Sequence, residues 1–400
     1  MKLRFDREDE IFREEISAFL TETLPADVVR RTRTGMHPPN EEDRRWWNRV
    51  LYERGWSAPH WPAEYGGTGW SPIRQHIFEH ECRAAGAPEL RWQGLRLLGP
   101  VIYTFASAEQ KARYLPPILK GEEMWAQGFS EPGAGSDLAA LRTSAVLDGD
   151  HYVVNGQKMW TSEGQYSELG FFLVRTDPTV KIQQGISMLV MDMATPGITV
   201  WPTTMIHGDA PVCEVFLDNV RVPRENMIGP PGSGWNQAKF LLANERTSSA
   251  EIPKAFADLR RIRAIASREM KGGRPIIEDP RFAFKLAEVE LEVEALEWSV
   301  LRVLCDAPSR HPVAARASVL KVRGSELQQK LSELAAEALG QRALREYRRD
   351  NVFTRLPEDP SWGDHVPGAT ADLLYLRACT IFGGAKEVQK NIIAKLAFGL

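Results

Sequence analysis

Phe12, Ile16, Phe19 and Leu20 recur at three- and four-residue intervals, the spacing that gathers apolar side chains on one helix face. A first helix is therefore predicted, stopping before Pro25. Residues 41–54, 73–85 and 108–119 carry the same period, with the turn-rich stretch HWPAEYGGTGWSP among them. Near Glu123 the pattern changes. HYVVNG, LGFFLVRTD, GISMLVMDM, GITVWPTTM and CEVFLDNVRVP are β-branched and aromatic, with Gly, Pro and Asp between them, which predicts short strands of a barrel or sandwich. This run ends near GPPGSGW, residues 229–235. Helical periodicity returns over 236–272, 280–306, 312–340 and 366–380, and a short helix follows Gly383 and Gly384. The predicted fold class is α+β multidomain: a helical N-terminal domain over 1–122, a β-barrel middle domain over 123–233 and a C-terminal four-helix bundle over 234–400. No βαβ alternation is present, which argues against a doubly wound nucleotide fold.

Composition narrows the function classes. Of 400 residues, 43% are hydrophobic and 26% charged, the profile of a water-soluble chain. No stretch approaches the roughly 18 uninterrupted apolar residues of a membrane span. The opening MKLRFDREDEIFREEI lacks an apolar signal core and is acidic for a transit peptide, so a cytoplasmic protein is expected. A net charge of −3 provides no basic field for nucleic acid. Cys82, Cys213, Cys305 and Cys379 form no close pair and read as free thiols in a reducing compartment.

Four segments could carry chemistry. In QGFSEPGAGSDLAALRTSA, from Gln127, Gly133 and Gly135 would let backbone N–H groups approach an anion or a flat ring, and Ser130 and Ser136 can donate hydrogen bonds. The same residues also read as a Gly/Pro turn capped by Asp137. In NGQKMWTSEG, Asn155-Gly156 suggests a hairpin turn that places Trp160, Thr161 and Ser162 on a strand. That indole could stack on a heteroaromatic ring or be an ordinary buried strand residue. In AKFLLANERTSSA, Leu241, Glu245 and Ser248 share a helix face; Glu245 is either a surface residue or a buried acid with a raised pKa. The Gly383-Gly384 break could offer free N–H groups to a carbonyl or phosphate, or simply start the last helix. His76, Glu79 and His80 fit an inverted zinc-protease spacing, but no third carboxylate ligand stands out nearby, so no metal is expected.

WPAEYGGTGW, FSEPGAGSDLAALRTSA, NGQKMWTS and the closing GGAKEVQKNIIAKLAFGL, in this order, resemble the acyl-CoA dehydrogenase family over essentially the whole chain. Within it the likeness is to subunits acting on bulky or dicarboxylic acyl-CoAs, such as the large subunit of pimeloyl-CoA dehydrogenase. The resemblance implies the three-part fold above, with FAD between the middle and C-terminal domains and an electron-transfer flavoprotein as acceptor. It implies that Gln127, Phe129, Ser130, Gly135, Ser136, Trp160, Thr161, Ser162, Ala385 and Glu387 bind FAD. It also implies that Ser136, Arg246 and Gly383 contact the acyl-CoA. Many members carry their catalytic base where this chain has Gly383; a second group carries it before an Arg on the first helix of the C-terminal domain, the slot of Glu245-Arg246. Glu245 is thus the expected base, with the Gly383 N–H polarising the thioester carbonyl.

Two departures bear on assembly. Glu269-Met-Lys-Gly-Gly-Arg274 and Leu339-Gly-Gln-Arg-Ala-Leu-Arg345 stand where the family carries motifs that reach a neighbouring subunit's FAD. An oligomer is expected, either a heteromer with a related small subunit or a homodimer or homotetramer. The alternative is a non-catalytic or other-chemistry flavoprotein subunit of the same fold.

Overall fold

The computed structural model describes residues 5–33, 39–244, 250–305, 312–344 and 368–400. Helix α1 (Arg7–Thr23) opens at Asp6, whose carboxylate accepts the Asp9 N–H at 2.9 Å as an N-cap. Its Phe12, Ile16, Phe19 and Leu20 are buried, as their spacing predicts. After Pro25 the chain resumes as α2 (Ala26–Arg33), then α3 (Glu41–Glu53) and α4 (Pro72–Ala85). A wide helical turn over Gln93–Leu98 runs into α5 (Gly99–Phe105), followed by α6 (Ala108–Lys120). The segment 93–105 escapes periodicity for a physical reason. Leu97, Leu98, Val101 and Ile102 are all buried, so this helix is enclosed on several sides and shows no polar face.

Seven strands form one curled sheet: β1 (Trp125–Gly128), β2 (Ser144–Asp148), β3 (His151–Ser162), β4 (Leu169–Arg175), β5 (Ile186–Asp192), β6 (Ile198–Thr203) and β7 (Val212–Pro223). Their order is β1-β4-β2-β3-β7-β6, with β5 paired antiparallel to β4. β4 and β5 are apolar almost throughout because both faces are covered. Phe171, Leu173, Ile186, Met188 and Val190 pack with Leu98, Val101 and Leu241, while Phe172, Val174, Leu189 and Met191 face Val154, Val215 and Val220. This is the two-residue alternation of a strand between two cores.

Asn155-Gly156 is not the predicted hairpin turn. β3 runs through it as a bulge, and the β2–β3 turn lies instead at Gly149, where φ is +62°. A Cβ at Gly156 would lie 2.7 Å from the Thr143 Cα, so glycine here serves close approach of two backbones.

The C-terminal part contains α7 (Gly234–Asn244), α8 (Ile252–Arg268), the two-residue strands β8 (Met270–Lys271) and β9 (Arg274–Pro275), α9 (Pro280–Leu304), α10 (Val313–Leu339), α11 (Ala369–Tyr375) and α12 (Lys386–Ile393). Leu259, Ile262, Ile265, Leu286, Val293, Leu327 and Leu331 form its core. The single helix expected over 236–272 is two helices. Glu251 sits at φ +52° before Pro253, and Lys271–Arg274 closes a hairpin. At Gly324 an added Cβ would meet the Ala250 Cα at 2.7 Å, so α10 lies close against that break.

Candidate active site

The turn after β1 is held from beneath by a buried ion pair. Gly128 lies where any Cβ would strike the Phe172 ring, and Phe129 packs edge-on against Phe171 at 5.6 Å. Glu131 then turns inward. Its carboxylate accepts the N–H groups of Arg142 and Thr143 at 2.7 and 2.9 Å and the Lys158 ammonium at 2.7 Å. Lys158 is fully buried and also donates to the Phe129 carbonyl at 3.2 Å. Burial pushes the Lys158 pKa down to about 8, partly offset by Glu131. Burial opposes charge on Glu131 as well, but Lys158 and the surrounding donors more than offset it and hold the carboxyl below its ordinary range. The Ser130 carbonyl accepts the Met159 N–H at 2.9 Å, and Glu131 and Ala134 exchange backbone bonds. Above this base, Gly133, Gly135 and Ser136 are exposed, with open space where either glycine would carry a Cβ.

β3 supplies the adjacent wall. Lys158 pairs with Val215 and Thr161 with Cys213, so Met159 and Trp160 oppose Glu214 alone. In this bulge Trp160 takes φ +63° and is 54% exposed. A left-handed backbone at a bulky residue is strained by roughly 1–2 kcal/mol, and an exposed indole recovers little of that by burial. Beside it the Thr161 hydroxyl is buried without a hydrogen-bond partner, while Ser162 is half-buried. Gln127, a half-buried residue on β1, lies across the sheet in register with Phe171. The strand end is fixed by Glu163 at φ +52°, whose carboxylate is bound by Arg44 of α3 and by Arg91, each at 3.0 Å.

At the other end of the chain, Gly383 and Gly384 adopt φ of +65° and +98°. Among the described residues the Gly383 N–H makes no hydrogen bond. Lys321 supports the turn from α10, donating to the Cys379 carbonyl at 3.1 Å and lying 5.2 Å from the centre of the Phe382 ring. Tyr375 bridges toward the sheet, with its ring 6.0 Å from Phe382 and 5.3 Å from His207. Ala385 precedes α12 and Glu387 is exposed in its first turn.

Three family models match in sequence order: the acyl-CoA dehydrogenase N-terminal domain over residues 6–122, the middle domain over 126–220 and the C-terminal domain over 232–398. The chain belongs to the acyl-CoA dehydrogenase family. Among curated relatives, it is 32% identical to acyl-CoA dehydrogenase IpdE1 of Mycobacterium tuberculosis, over 98% of this chain and 97% of that one. It is 35% identical to acyl-CoA dehydrogenase FadE26 of the same organism, over 86% and 85%. Among solved structures, the ChsE4-ChsE5 complex from Mycobacterium tuberculosis superposes with a TM-score of 0.80 at 32% identity, covering 100% and 99% of the two chains. A steroid acyl-CoA dehydrogenase described as Tcur3481-Tcur3483 does so with a TM-score of 0.83 at 28% identity, with the same coverage. The helical, β and helical architecture is that of the family, whose members are flavoproteins.

In this acyl-CoA dehydrogenase the expected site residues fall into three groups. Gln127, Phe129, Ser130, Gly135, Ser136, Trp160, Thr161 and Ser162 lie on the β1 turn and the β3 end, joined through Lys158, Glu131 and the Ser130–Met159 backbone bond. Gly383 and Ala385 lie on the α11–α12 turn, and Glu387 in the first turn of α12. Glu245 and Arg246 fall outside the described residues, between the end of α7 and the start of α8. Of the residues with zinc-protease spacing, His76 bonds Glu297 at 3.2 Å, Glu79 pairs with Arg96, and His80 lies edge-on to Phe256. No helix among the described residues is long and apolar enough to cross a membrane.

The structure adds a feature that periodicity did not reveal. A cavity of about 440 Å³ lies where α4, the 86–103 segment and the start of α8 meet, lined by Trp56, Phe78, Trp92, Leu95, Tyr103 and Phe240 as well as Glu89, Arg91 and Glu251. Burial, reinforced by nearby Glu89, raises the Glu251 pKa to about 7, although Arg83, Lys254 and Arg96 pull it down. Pro253, in the first turn of α8, is a local signal in the sequence for a helix start at this break.

Proposed function

We propose that this chain binds FAD and catalyses α,β-dehydrogenation of an acyl-CoA thioester with a bulky acyl group, giving a trans-2-enoyl-CoA, within a heteromer that includes a related subunit. The observation that carries the cofactor assignment is Trp160: a strained, exposed indole on a rigidly anchored strand, beside an unpartnered buried hydroxyl at Thr161 and an open glycine turn. Nothing in the packing of the sheet accounts for that combination, whereas a flat heteroaromatic ring with hydrogen-bonding edges does. Gln127, Ser130, Gly135, Ser136, Trp160, Thr161 and Ser162 would hold it. The Phe129 ring is committed to the core, so this residue would contribute through its backbone. Ala385 and Glu387 would close the site from α12.

When bound, the flavin supplies the two-electron acceptor that takes up the β-hydrogen as hydride. The chain's own residues do the rest. The Gly383 N–H donates to the thioester carbonyl and stabilises negative charge developing on it. Glu245 removes the α-proton, and Arg246 contacts the acyl-CoA. Ser136 contacts the thioester side of the site. Reoxidation falls to an electron-transfer flavoprotein.

Assembly follows from two further features. The segments that replace the family's neighbour-reaching motifs meet each other here, with Arg342 bonded to Glu269 at 3.0 Å. That ion pair ties the two segments to each other. In addition, Ile381, Phe382, Leu396, Phe398 and Leu400 are exposed near the C-terminus, an apolar surface of the kind that a partner covers. The bulky acyl group is supported by the similarity to a structure described as a steroid acyl-CoA dehydrogenase and by the size of the cavity, which lies in the range of organic-ligand pockets.

The test is the visible spectrum of the chain purified alone and after co-expression with a related subunit, followed by anaerobic addition of acyl-CoA. Flavin bound in the co-expressed complex, bleached by substrate in the parent protein and unbleached in Glu245→Gln, is the expected result. Near-normal bleaching in Glu245→Gln would remove Glu245 as base, and a full flavin complement on the isolated chain would remove the need for a partner.

A further inference from the structure

The polar residues around the 440 Å³ cavity are mostly committed to one another. Arg96 holds Glu79 at 2.5 Å, Arg83 lies 3.5 Å from Glu89, Lys254 holds Asp258 at 2.5 Å and His76 bonds Glu297. Trp92 donates its indole N–H to Glu89. Beside hydroxyls such as that of Tyr103, which can donate as well as accept, two acceptors are left over. The Glu251 carboxylate, half-buried in the cavity wall, has neither a hydrogen bond nor an ion pair within 4 Å among the described residues. His60, also in the wall, directs Nε2 toward the Leu95 carbonyl at 3.2 Å and keeps a buried Nδ1 without a partner. Burial, with Arg96 nearby, holds that imidazole neutral, so Nδ1 is an acceptor.

A methylene chain would leave both acceptors desolvated and unsatisfied. The cavity therefore suits a group that is broad and apolar over most of its surface and carries a hydrogen-bond donor. Backbone strain at Glu251 reinforces this reading, because a non-glycine residue at φ +52° places its side chain where regular helix geometry would not.

Resting on the dehydrogenase reading above, we propose that Glu251 is a specificity residue, whose carboxylate accepts a hydrogen bond from a hydroxyl on a ring-bearing acyl group seated in this cavity, with the His60 Nδ1 as the second acceptor. The dehydrogenase thereby favours hydroxylated cyclic acyl-CoA esters over their deoxy counterparts. Arg83, Arg96 and Lys254 keep the region near neutrality without occupying the carboxylate.

The experiment uses the flavin-loaded complex and three CoA esters of a decalin propanoic acid: one with a ring hydroxyl, one with a ketone at the same carbon and one with neither. At pH 8.5, where Glu251 with its pKa raised to about 7 is ionised and only accepts, kcat/KM for the hydroxylated ester is expected to exceed that for the deoxy ester by about 10- to 100-fold, the range of one hydrogen bond to a charged group. Glu251→Leu should shrink the ratio to within about threefold, and Glu251→Gln, which still accepts a hydrogen bond, should keep part of it. Equal kcat/KM for the two esters in the parent protein overturns the proposal. So does an equal loss for both in Glu251→Leu, which would mark a structural role, and so does a preference for the ketone, which would require a donor. If no ester bleaches the flavin, the dehydrogenase reading itself fails. Equilibrium dialysis of the same esters then decides on Glu251 alone, with a tighter Kd for the hydroxylated ester that is lost in Glu251→Leu supporting it and equal Kd values overturning it.

Discussion

Replacing Lys158 by methionine tests whether the buried pair is what shapes the proposed flavin wall. The substitution preserves most of the side-chain volume and removes the ammonium, with its charge and its two hydrogen bonds. Glu131 would then remain in a buried site with two backbone donors, from Arg142 and Thr143, and no cation. Removing one partner of a buried pair costs about 3–5 kcal/mol, against roughly 5–15 kcal/mol for the stability of a whole domain. The Phe129 carbonyl also loses its donor, although carbonyls tolerate partial satisfaction better than N–H groups do. The damage should concentrate where these bonds converge. Hydrogen exchange followed by mass spectrometry should show peptides spanning 127–145 and 155–165 exchanging about 100-fold faster or more, with α9 and α10 unchanged as the internal reference. Adding Glu131→Gln to Lys158→Met should recover only part of the loss: the stranded charge disappears, but Arg142 and Thr143 donate to different oxygens of the carboxylate, and the one amide oxygen replaces only one of these acceptors. A destabilisation below about 1 kcal/mol, or exchange that accelerates equally in the C-terminal bundle, would show that the pair does not organise this turn.

Two further outcomes can be checked directly. Trp160→Gly relieves the left-handed strain but adds freedom to the unfolded chain, so thermal stability should stay within about 1 kcal/mol of the parent while flavin content drops sharply; intact flavin content would place the ring elsewhere. Glu251 has its folded pKa raised from 4.5 to about 7, so the stability it contributes is fully present below pH 4.5 and is lost as pH rises through 7. Glu251→Gln should therefore flatten the fall in stability between pH 4.5 and 7 and leave the protein about 1–3 kcal/mol more stable than the parent at pH 8, measured by urea titration at each pH; parallel pH profiles for the two proteins would contradict the burial of this carboxyl.

Much of the architecture was local information. The spacing of Phe12, Ile16, Phe19 and Leu20, the near-continuous apolar strands β4 and β5 and the long periodic runs of α9 and α10 each announce their own element, because period and burial are consequences of one chain meeting one core. The segments 127–136 and 160–162 could likewise be singled out as candidates from their glycines, hydroxyls and Trp160, whereas the left-handed, exposed setting of that Trp came only with the fold. What the sequence alone did not determine were relations between distant residues. Asn155-Gly156 carries a turn signature, yet β7 pairs along the whole of β3, and the close approach of Thr143 turns that glycine into a bulge. The run 236–272 looks like one helix, yet it breaks at Glu251, where α10 packs closely against Ala250. The Lys158–Glu131 pair spans 27 residues, and the clamp on Glu163 draws Arg44 from 119 residues away. Glu251 and Glu89 become neighbours only when α8 closes on the N-terminal helices, and only then does an unremarked acid acquire a raised pKa and a cavity. Periodicity is written along the chain, whereas the desolvation and charge pairing that give a residue its chemistry depend on what folding brings beside it.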